Sequence, residues 1–111
     1  MKKDVFIFLE HIIENILDIE EFSTGLTKEE LKNDKLKQNA IVRSLEIIGE
    51  AVKNVPNTFR NKHSQIEWSK ISGLRDKLIH HYFGVDFNTI WDVIKVDLPE
   101  LKKKVKLILK K

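Results

Sequence analysis

The chain has 111 residues, 41% of them hydrophobic and 33% charged, which suits one small, well-solvated domain spanning residues 1–111. With no cysteine, it has no disulfide framework, thiolate metal site or cysteine nucleophile. The formal charge is +3, but Pro99 to Lys111 hold six lysines and one glutamate, or +5, so the preceding 98 residues sum to −2. Basic character therefore belongs to the end of the chain, and its body is mildly acidic.

The opening MKKDVFIFLEHIIEN carries acidic residues inside its apolar stretch. It reads as neither a signal peptide nor a membrane span, and the expected location is cytoplasmic. Val5, Phe8, Leu9, Ile12, Ile13, Ile16, Leu17 and Ile19 follow helical spacing, with Glu10, Glu14 and Asp18 on the wet side. Ser23-Thr24-Gly25 ends this helix near Phe22. Thr27 and Glu30 then match a capping box.

A second long helix runs from about Asp34 to Asn54, with Leu36, Ala40, Ile41, Leu45, Ile47, Ile48, Ala51 and Val52 as its apolar face. Pro56 terminates it, because the residue before proline disfavours helical backbone. Within it, Gly49 lowers helix propensity and permits a close helix approach; Arg43, Glu46 and Glu50 form a solvated or interface stripe. Residues 57–66 are polar with weak helical character. A further helix covers roughly Trp68 to Phe83 and ends at Gly84 in a left-handed cap. Asp86 is an N-cap for the last helix, with Val85 stapling onto Ile90. Ile90, Trp91, Ile94, Leu98, Leu101, Val105, Ile108 and Leu109 form its apolar stripe, which Pro99 should kink or divide. No strand pattern, repeat or linker interrupts this series. The expected fold is all-α, an antiparallel bundle of four or five helices.

His11 and His63 read as structural or exposed. His80-His81 stands in richer company, because Arg75, Asp76 and Tyr82 lie within two helical turns of it. Asp76 and His80 are an i, i+4 pair, so the carboxylate can orient the imidazole. Arg75 shares a face with Ile71, Leu78, Ile79 and Tyr82, where a guanidinium needs an anionic partner or a wet cleft. Arg75 and His80 are 140° apart by helical geometry, awkward for two groups meeting one substrate. On spacing alone, a buried ionic network or a helix end is the simpler reading. No metal-ligand set, Ser-His-Asp order, P-loop or dinucleotide fingerprint is present.

The spacing Arg75-x4-His80-x-Tyr82 resembles the R-x4-H-x-Y motif of HepT-like toxins in the HEPN superfamily. The surroundings are similar too: AIVRSLEIIGEAVKNVP at 40–56, W-x2-I-x-G-L-R-D at 68–76, LIHHYFGVD at 78–86 and DLPEL at 97–101. The resemblance spans nearly the whole chain. It implies an all-helical homodimer whose two motifs face a shared cleft, acting as a metal-independent ribonuclease toxin without a cofactor. It also implies RNA as substrate and a small MNT-type nucleotidyltransferase antitoxin as partner, with Tyr82 receiving AMP from ATP. Arg75, His80 and Asp76 are then the expected catalytic residues. The alternative is a non-catalytic subunit that docks the nucleotidyltransferase and serves as its substrate.

Overall fold

The computed structural model describes the backbone of residues 4–80 and 87–110, and the side chains of 4–74 and 88–110. The helices are α1 (Val5–Ser23), α2 (Lys28–Lys32), α3 (Lys35–Lys53), α4 (Asn57–Lys62), α5 (Trp68–His80), α6 (Phe87–Asp92) and α7 (Leu98–Leu109). A π-helical turn, Val93–Asp97, joins α6 to α7. Among the described residues there is no strand, and the all-α expectation holds.

Short-range chemistry sets the helix ends. Asp4 accepts the Phe6 amide at 2.9 Å and starts α1, and Asp34 accepts the Lys37 amide at 3.0 Å and starts α3. The capping box at α2 is complete: Thr27 Oγ1 accepts from the Glu30 amide, and Glu30 Oε1 accepts from the Thr27 amide. Gly25, at φ +76°, makes the turn after α1 with a backbone that a side chain would strain. The polar stretch after Pro56 forms the short α4. Asp86, Val85 and Gly84 lie outside the described residues.

One core joins the long elements. Leu9, Ile12, Ile16 and Ile19 of α1 meet Ile41, Leu45, Ile48 and Val52 of α3 and Leu98, Leu101, Val105 and Ile108 of α7, all buried. Phe6, at the start of α1, contacts Phe59 of α4 edge-on at 6.4 Å, so the beginning of α1 lies beside the end of α3. These two helices therefore run antiparallel. At the other end of α1, Lys102 Nζ donates to both oxygens of Glu20, at 2.8 and 3.0 Å, and ties on α7.

Two residues assigned to apolar faces are exposed. Leu36 is 80% exposed and Leu17 is 45% exposed. Leu36 lies nine residues from Leu45, which is half a turn around the helix at 100° per residue, so α3 turns it outward. Pro99 divides the last helix as expected, by a specific device. Proline has no amide hydrogen and its ring conflicts with the carbonyl four residues back. The preceding turn widens, and the Leu98 amide donates to Val93 O, five residues back.

Candidate functional site on helix α5

Helix α5 is seated by its first turn. Ile66 and Trp68 are buried, and Trp68 Nε1 donates to His63 O at 3.0 Å. The indole lies edge-on to Phe59, and the His63 ring stacks against Phe59 at 4.4 Å, so His63 is structural. Ile71 and Leu74, one turn further on, pack half-buried against the core beside α3.

Arg75 follows Leu74 directly, and the helix continues through Asp76 to His80. The i, i+4 relation of Asp76 and His80 is thus present in the backbone. So is the divergence of Arg75 from His80, about 7.5 Å along the axis and 140° around it. The side chains of Arg75, Asp76 and His80, and Tyr82 altogether, lie outside the described residues.

Beside α5 is a cleft of about 390 Å³. Leu45 and Ile48 of α3, Ile71 and Leu74 of α5, Val93 of the π turn, and Leu98 and Leu101 of α7 give it apolar walls. Its rim cations are already engaged. Lys70 Nζ lies 3.5 Å from Asp97 and 3.8 Å from Glu67; Lys104 Nζ donates to Gln65 O at 2.7 Å and lies 3.7 Å from Glu100. This rim latches α5 to the α6–α7 limb.

A second, shallower groove between α1 and α3 is lined by Phe8, His11, Arg43, Glu46, Ile47 and Glu50 among others. Arg43 pairs with Glu46 at 3.5 Å while 72% exposed, a contact worth about 0–1 kcal/mol. The solvated-stripe reading suits it. No group of three or more metal-ligating side chains occurs among the described residues. Sequence reasoning missed Arg60, whose guanidinium donates to Val52 O at 2.7 Å and Val55 O at 3.1 Å and so holds the turn that leaves α3. Its only sequence signal was a basic residue shortly after a helix end.

The family model described as "Ribonuclease HepT-like" matches residues 12–108. The chain belongs to the HepT-like ribonuclease family. A putative RNase of Methanocaldococcus jannaschii is 49% identical over 109 residues, covering 98% of this chain and 90% of that protein. A putative RNase of Caldanaerobacter subterraneus is 51% identical over 104 residues, covering 94% and 93%. The probable ribonuclease HepT of Thermococcus cleftensis is 48% identical over 104 residues, covering 94% of each. No solved structure matches the chain. The HepT-like match takes in all of α3 and α5 and all but the last residue of α7, so it embraces the helix bearing Arg75, Asp76 and His80 and both neighbours that line its cleft. No helix among the described residues is long and apolar enough to cross a membrane.

Proposed function

We propose that this HepT-like protein is a metal-independent endoribonuclease, the toxin of a HEPN/MNT toxin–antitoxin pair, working in the cytoplasm as a homodimer. The observation that carries the reading is the HepT-like match across 12–108, with Arg75-x4-His80-x-Tyr82 inside it. The chemistry needs only groups that the chain supplies. His80 takes the proton from a ribose 2′-hydroxyl, whose oxygen attacks the adjacent phosphorus. The bond to the 5′-oxygen breaks, that oxygen takes up the proton that His80 had removed, and the products are a 2′,3′-cyclic phosphate and a 5′-hydroxyl. Arg75 binds the phosphate and stabilises the extra negative charge of the transition state. Asp76, one turn before His80, holds the imidazole tautomer.

The 140° between Arg75 and His80 argues for the dimer. Two copies of α5 facing one cleft let an arginine and a histidine approach the same phosphate from different subunits. Inhibition follows from Tyr82. A nucleotidyltransferase moves AMP from ATP to the phenolic oxygen, releasing pyrophosphate and the phenol proton. The bulky anion then occupies the space beside Arg75 by size and by charge.

Product analysis tests the reading. Purified protein incubated with RNA in the presence of a chelator should generate fragments ending in 2′,3′-cyclic phosphate. Intact RNA after prolonged incubation would refute it.

A further inference from the structure

We propose that the outward face of α7, through Lys103, Lys106 and Lys110, is a track for the sugar–phosphate backbone of single-stranded RNA. The inference rests on the ribonuclease reading and adds a capture surface separate from α5. The structure sorts the terminal lysines into two groups. Lys102 is held by both oxygens of Glu20, and Lys104 by Gln65 O and Glu100, so their charges are neutralised or engaged within the fold. Lys103, Lys106 and Lys110 are exposed and have no ion pair or side-chain hydrogen bond among the described residues.

These three lie within 60° on α7 and span about 10.5 Å along its axis. They point away from the core-facing Leu101, Val105 and Ile108. Favourable placement at a helix C-terminus accounts for Lys106 and Lys110, but that effect fades beyond the last turn and leaves Lys103 unexplained. The only acidic residue of α7, Glu100, is paired with Lys104. Leu107, 60% exposed and 40° from Lys103 around the helix, offers an apolar surface for a base or ribose.

The opposite charge lies on α1. Glu10, Glu14, Asp18 and Glu21 are exposed along one stripe, and α1 contains no lysine or arginine. A polyanion is repelled there and drawn to α7, so the −2 body and +5 end become an orienting device.

The test uses a 2′-O-methyl RNA oligonucleotide, which cannot be cut because it lacks the attacking hydroxyl. Its binding is followed by fluorescence anisotropy at 50–200 mM salt. Three phosphate contacts contribute about 2 to the slope of log affinity against log salt. Wild-type affinity should therefore fall about 20-fold more over this range than that of K103Q/K106Q/K110Q. K106Q alone should lower the slope by about 0.7. The charge-matched control K28Q/K32Q/K35Q should keep the wild-type slope, and all variants should keep the wild-type cleavage rate at saturating RNA. If wild type cuts RNA but K103Q/K106Q/K110Q binds with the wild-type affinity and slope, the track is refuted and the ribonuclease reading stands. If wild type neither binds nor cuts RNA, both fall. Loss of binding to phosphatidylglycerol vesicles with RNA binding intact would also overturn the track, in favour of a membrane surface.

Discussion

Arg60 uses its side chain to hold a helix end. Arg60 closes the end of α3 by donating to Val52 O and Val55 O. Hydrogen bonds from a charged donor are worth about 1.5–3 kcal/mol when well formed, and Arg60 is only partly buried. Arg60→Ala should therefore cost about 1–2 kcal/mol of stability, read as a lower denaturant midpoint with an unchanged slope. Arg75, proposed to bind phosphate, follows the half-buried Leu74 on α5. Sequence spacing marked Arg75, Asp76 and His80 as candidates because chemistry-bearing types crowd into two turns, and the family resemblance supplied their proposed roles. Spacing could not identify Arg60, because a carbonyl partner leaves no mark in the residue alphabet.

At the scale of elements, what was legible is what is encoded locally. Thr27 with Glu30, Asp34, Gly25 and Pro56 each act within four residues, and each lies at a helix boundary as expected. Thr27→Ala should lower stability by about 1 kcal/mol, and melting by a few degrees, because it opens the box at α2. Ile48→Ala should cost more, about 2–5 kcal/mol, because Ile48 is 1% exposed where α3 meets α1 and α5. Burial beyond single helices was harder to read. Leu36 and Leu17 have the right composition for a core but the wrong angle, and only the neighbouring helices decide how wide the buried stripe is. The π turn at Val93–Asp97 also escaped, because Pro99 announces that the ladder must break without saying how it will be repaired.

At the scale of the molecule, the proposed function turns on charge and association. The +3 total conceals an acidic α1 and a basic α7 fastened together by Lys102 and Glu20. A homodimer would bring two α5 helices to one substrate, and its mass in light scattering should be about twice the 13.1 kDa of the chain. A particle of single-chain mass that still cleaves RNA would contradict the shared-cleft arrangement, since Arg75 and His80 diverge on one helix.

In the proposed mechanism His80 drives RNA cleavage without a metal. The most direct test is the single-turnover rate at saturating RNA, with a chelator present, for wild type and for His80→Ala shown to be folded by circular dichroism. Wild type should cleave, and the variant should lose about 10²–10⁴-fold in rate. Equal rates for the two proteins would contradict the mechanism.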